Sequence, residues 1–173
     1  MKPNARATWV GGVRRGKGVV TTGSGTLSQS QYFEADDPKS KGTNPYELIA
    51  AAHAASFSMA LAEELSGAGF TPQRIATTVT VTLEPQSVGW TVTAIQLDVL
   101  AEMPRATQGD FIRAAVRAKT NCTISRLLKA NLAMSAKLQI AEPRNHPKVR
   151  PSSDNLKVSK TKKQSIGRSS PKP

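Results

Sequence analysis

The chain is poor in cysteine, histidine, aromatic residues and long apolar runs, and each shortage removes a class of protein. One cysteine, Cys122, in 173 residues excludes an internal disulfide framework. Of the two histidines only His53 falls outside the basic C-terminal stretch, too few for a metal site, and no metal or cofactor is expected. No segment nears the roughly 18 uninterrupted apolar residues of a membrane span, so no membrane insertion is expected. The N-terminal MKPNARATWVGG lacks the apolar core of a signal peptide, and a cytoplasmic location is the expectation.

Acidic residues are also scarce, but the imbalance is local. Of the formal net charge of +12, residues 143–173 hold +8, with nine Lys or Arg against one acid, Asp154. Residues 1–142 keep +4. The division expected is one domain over 1–142 and a disordered Pro/Ser/Lys-rich tail over 143–173. Such a tail is either a solvated extension or an arm for weak, non-specific polyanion contact. No aromatic interleaves its basic residues, so base stacking has no handle.

What is present is a regular alternation of elements. Trp9–Val13, the turn RRGKG from Arg14 to Gly18, and Val19–Thr22 read as a hairpin, followed by a short extended piece to Phe33. Residues 34–43 form a polar loop. Ile75, Thr77, Val79, Val81 and Leu83 alternate along a half-buried strand, and Ile95, Leu97 and Val99 mark its partner. A helix over Thr107–Lys119 carries Phe111, Ala114, Ala115 and Ala118 on one stripe; Thr123–Lys129 begins a shorter one, and Leu132–Ile140 closes as a strand. The order βββ-α-ββ-α-β is that of an α+β domain.

The first helix is the most telling segment. Asn44 suits an N-cap, Pro45 the first helical position, and Glu47 a capping-box carboxylate. The helix runs to about Leu65 and stops at Gly67 and Gly69. Six alanines lie between Ala50 and Ala60, leaving no clear polar face, so burial all round is expected. Ser56 and His53 are the polar exceptions, and buried polar groups need partners.

GTNPYELIAAAHAASFSMAL (Gly42–Leu61), NCTISRLLKA (Asn121–Ala130) and RRGKGVVTTGSG (Arg14–Gly25) together resemble the OsmC/Ohr family of organic hydroperoxide reductases. The resemblance covers nearly all of residues 5–141 and implies curved antiparallel sheets around two central helices in an intertwined homodimer. It also implies reduction of organic hydroperoxides by two thiols, recharged by a lipoylated protein or another small-thiol reductant. In the family's pattern one cysteine attacks the peroxide and a second resolves the sulfenic acid. Here the attacking position is Ser56 and the resolving position is Cys122, with Thr123 where proline often follows. The activating arginine comes from the first hairpin in one branch, where Arg14 and Arg15 stand, and Glu47 matches its carboxylate partner. In the other branch it comes from the loop before GTNP, and residues 28–41 hold no arginine.

A serine hydroxyl stays protonated at neutral pH and has no stable counterpart of the sulfenic acid and disulfide steps. Two-cysteine turnover is therefore expected to be weak or absent. The alternatives are a non-catalytic stress protein binding an apolar ligand or a polyanion, and a one-cysteine peroxidase through Cys122. A serine-hydrolase pair of Ser56 with His53, one turn apart, lacks an orienting carboxylate; a packed, hydrogen-bonded core role suits His53 better. Cys122, just before a short helix, is either a small buried hydrophobe or a thiol activated by amide donors. Arg14, Arg15 and Lys17 also fit plain solvent-exposed turn charges.

Overall fold

The alternating stretches become a long two-stranded ribbon in the computed structural model, which describes residues 1–12, 16–33, 42–128 and 130–141. The chain runs β1 (Ala5–Val10), β2 (Lys17–Thr22), β3 (Ser30–Tyr32), α1 (Pro45–Gly67), β4 (Arg74–Gln86), β5 (Gly89–Met103), α2 (Gln108–Asn121), α3 (Thr123–Leu127) and β6 (Asn131–Ile140). Arg14, Arg15 and the 143–173 tail lie outside the described residues.

Two three-stranded sheets form, ordered β1-β2-β3 and β4-β5-β6. The first is antiparallel throughout, and β4 pairs antiparallel with β5. The expectation of antiparallel sheets fails at β6, which runs parallel to β5 from Ala94↔Asn131 to Met103↔Ile140. The reason is the connection: α2 and α3 form a helical crossover that returns the chain to the end from which β5 began, as parallel pairing requires.

On β5 the inward positions Ile95, Leu97, Val99, Ala101 and Met103 are buried. They meet the α2 stripe of Phe111, Ala114, Ala115 and Ala118, which is buried as its spacing predicts. From α1 only His53, Phe57, Leu61 and Leu65 are fully buried, the i, i+4 row that faces this core. The expected all-round burial of α1 is thus not met within one chain: Ala51, Ala52, Ala55 and Met59 are exposed. The first sheet adds little to the core, Val20 being its one buried large apolar residue.

The α1 cap also differs in part from expectation. Asn44 Oδ1 accepts the amides of Tyr46 and Glu47, at 3.0 and 2.9 Å, as an N-cap should. The Glu47 carboxylate does not close a box; it accepts the Thr43 hydroxyl at 2.9 Å. At the other end Gly67 is still helical and Gly69, at φ +82°, ends the helix. Phe70 N–H donates to Leu65 O and Gly69 N–H to Ser66 O, which turns Phe70 back onto the core.

Candidate functional site

The site forms where the middle of α1 meets the α2–α3 junction. Cys122 is the break between those helices: its ψ of 122° is not helical, its amide still donates to Ala118 O, and its carbonyl already accepts from Arg126. It therefore ends α2 and begins α3 at once. Thr123 takes the place where proline is frequent in the family pattern, and the helix start holds without it. The turn is tied to α1 by Glu64, whose carboxylate accepts Arg117 Nε and Asn121 Nδ2, each at 2.7 Å.

This arrangement brings Ser56 and Cys122 together, with Oγ and Sγ 3.3 Å apart. Ser56 Oγ is also 3.3 Å from Thr123 Oγ1. Three residues back along α1, His53 Nε2 sits 2.8 Å from Ser125 Oγ, so the ring engages Ser125 rather than Ser56, and the serine-hydrolase pairing is not built. His53 and Cys122 are 0% and 1% exposed, while Thr123 at the edge of the cluster is exposed.

The electrostatics follow from that burial. Burial holds the His53 pKa below the usual imidazole value, which keeps the ring neutral near pH 7. For Cys122 burial pushes upward. The hydroxyl of Ser56, the hydroxyl and amide of Ser125 and the amide of Ile124 outweigh it, and the thiol ends below its ordinary value. The thiolate form is thus favoured here relative to a free cysteine.

Other predicted site residues are not gathered here. Glu47 lies nine residues before Ser56 on α1, about 13 Å along the axis at the usual helical rise. It lines a separate pocket of about 290 Å³ with Asn44, Tyr46, Ala50, Val81 and Leu83. Another pocket, of about 440 Å³, is lined by Ser125 with Val116, Lys119, Thr120, Arg126 and Leu132. Sequence reasoning gave no individual role to Ser125 or Glu64; their partners lie 72 and 53 or more residues away, with no local spacing to announce them. Among the described residues no group of three His, Cys, Asp or Glu could hold a metal, and no helix is long and apolar enough to cross a membrane.

Comparison with known proteins gives these contacts a setting. A family profile described as OsmC-like protein matches residues 38–137. Peroxiredoxin OsmC of Escherichia coli (strain K12) is 43% identical over 135 residues, covering 78% of this chain and 94% of that protein; the Shigella flexneri protein of the same name matches equally. An OsmC-like protein of unknown function from Vibrio cholerae superposes with a TM-score of 0.68 at 14% identity, over 79% of this chain and 99% of that one. The organic hydroperoxide resistance protein OhrB of Bacillus subtilis does so at 0.59 and 21% identity, over 79% and 98%. These likenesses show that the fold is OsmC-like.

Proposed function

Because the chain belongs to the OsmC family, whose matched relatives are named peroxiredoxins, we propose that it retains an organic hydroperoxide-reductase site in which an alcohol stands in for the attacking thiol. One observation supports this above others: Ser56 Oγ sits 3.3 Å from Cys122 Sγ, where a reacting pair of sulfurs would need to meet. In a two-thiol cycle one thiolate attacks the peroxide O–O bond, takes up an oxygen as sulfenic acid and releases the alcohol. The second thiol then displaces water and closes a disulfide, which a dithiol such as a lipoylated protein reopens. Ser56 cannot begin this sequence, since neither its protonation at neutral pH nor its oxygen chemistry allows the first step. Two-thiol turnover is absent on this reading, and the scaffold holds its peroxide without consuming it. On the family resemblance, this reading draws the cation from Arg14 or Arg15, outside the described residues, with Glu47 as its carboxylate partner, which stands nine residues before Ser56 on α1 and so outside the Ser56–Cys122 contact itself.

A second reading is favoured by the donors around Cys122. A thiolate there can take oxygen from a hydroperoxide directly, leaving an alcohol. An external thiol then condenses with the sulfenic acid, releasing water, and a second frees Cys122 as a disulfide leaves. The two readings separate in one assay, consumption of cumene hydroperoxide with a dihydrolipoyl reductant. Background turnover that rises in Ser56→Cys supports the first. Turnover already present and lost in Cys122→Ser establishes the second.

The reading includes a homodimer. The exposed alanine face of α1 and a first sheet with one buried large apolar residue both suit a partner copy.

A further inference from the structure

We propose that the cavity between α2, α3 and the start of β6 is a binding site for a small aliphatic carboxylate. It holds about 440 Å³, within the range of small-molecule sites, and none of Ser56, Cys122 or Thr123 lines it. Two of its lining residues are cations, Lys119 and Arg126; two carry hydroxyls, Thr120 and Ser125; two are apolar, Val116 and Leu132. No acid is among them. A carboxylate head against the cations, with a short chain against Val116 and Leu132, fits that division.

The ion pairs of the two helices point the same way. α2 and α3 carry four basic residues, Arg113, Arg117, Lys119 and Arg126. Arg113 is paired with Asp110 and Arg117 with Glu64. The other two have no ion pair among the described residues, and both line the cavity. Lys119 Nζ donates to Leu132 O, which holds the ammonium at the wall and leaves two of its three protons. Arg126 is exposed, with a guanidinium fork suited to a carboxylate. Two like charges on one cavity with no acid between them repel, and a bound anion relieves that repulsion.

Ser125 supplies a neutral donor. Thr120 spends its own proton on Val116 O at 3.2 Å, so Ser125 is the hydroxyl left for a ligand. Its partner His53 is fully buried, with Nε2 2.8 Å from Ser125 Oγ and Nδ1 without a hydrogen-bond partner among the described residues. A neutral imidazole carries one N–H, which on Nδ1 would be a buried donor with no acceptor. The proton therefore sits on Nε2, Ser125 Oγ accepts it, and the Ser125 proton stays free. The site needs no peroxide, so it stands apart from the proposed function.

The test titrates the full chain calorimetrically with hexanoate, acetate and hexylammonium. Hexanoate should saturate one site per chain, and hexylammonium should not bind. Acetate should bind more weakly, by about fourfold for each methylene that hexanoate buries on Val116 and Leu132. Arg126→Ala should weaken hexanoate about tenfold, the weight of one hydrogen bond between charged groups, and Ser125→Ala about threefold. Arg126 is exposed, so its variant keeps the fold and decides the outcome even if Ser125→Ala does not fold. Amide shifts on adding hexanoate should fall on α2, α3 and the first residues of β6. The basic residues of 143–173 are the rival anion site and leave a different pattern. They would take acetate and hexanoate alike, lose both to added salt and ignore Arg126→Ala. That pattern overturns the proposal, as does hexylammonium binding on a par with hexanoate, or no saturable hexanoate binding at millimolar concentration.

Discussion

Ser56 Oγ approaches Cys122 Sγ to 3.3 Å across the junction between α1 and the α2–α3 turn, so a single oxygen separates this chain from a paired-thiol site. A disulfide needs sulfurs about 2.05 Å apart, a distance that modest side-chain rotation from this contact can reach. The Ser56→Cys variant should therefore close a disulfide with Cys122 under mild oxidation, seen as a mass loss of two hydrogens. It should also raise hydroperoxide consumption by about two orders of magnitude over the parent. Ser56→Ala should stay with the parent. A Ser56→Cys protein that neither closes the bond nor gains turnover would remove the proposed function.

Acid stability should depend on Glu64. The hydrogen bonds from Arg117 and Asn121 hold its carboxyl below the ordinary value of 4.5, against some opposing desolvation. A folded-state pKa below the unfolded one contributes stability above the ordinary value. That contribution is lost as pH falls from there through the folded value. Melting temperatures of the parent and Glu64→Gln should therefore differ at neutral pH and converge in strong acid. Because Glu64 ties α2 to α1 one residue before Cys122, the same variant should raise the thiol midpoint. A melting difference that grows on acidification would contradict the sign argued here.

Phe57 tests the core directly beneath the site. It is fully buried, follows Ser56 in the chain and belongs to the α1 row that packs into the core cluster with α2 and β5. Phe57→Ala should cost about 3–5 kcal/mol in urea unfolding, the usual penalty for removing a buried aromatic ring. That is a large share of the stability of a domain this size. A loss below about 1 kcal/mol would mean the helix row is not seated as described.

Much of this fold was legible because period and burial coincide. The β5 alternation and the Phe111–Ala118 stripe each name their buried face without help from the rest of the chain. The capping box was misplaced for a physical reason. Asn44 and Glu47 fit its spacing, but Thr43 captures the Glu47 carboxylate. The box forms instead at Thr107 and Asp110, which exchange side-chain and backbone bonds at 3.1 Å each. Period-two patterning marks β6 as a strand and is silent on its direction, which the α2–α3 crossover sets. At the site, motif resemblance singled out Ser56 and Cys122, two residues that lie 66 positions apart and meet. The bond between His53 and Ser125 has no such signal, since tertiary contact alone makes it.

The helix that reads as apolar on every side sets the last expectation. Within one chain α1 seals His53, Phe57, Leu61 and Leu65 and leaves Ala51, Ala52, Ala55 and Met59 uncovered, Met59 at 69% exposure. Trp9 and Val10 of the first sheet are exposed as well, at 37% and 70%. Alanine at three of the four bare α1 positions permits close helix approach, and a stable interface buries about 1,200–2,000 Å² in total. Sedimentation equilibrium at micromolar concentration should give twice the chain mass of 18.4 kDa. Ala55→Lys, which sets an unpaired charge on the bare face, should shift the protein toward monomer and lower its melting temperature with a dependence on protein concentration. A parent that sediments as a monomer, with α1 unprotected against hydrogen exchange on that face, would rule out the dimer and leave the apolar surface needing another cover.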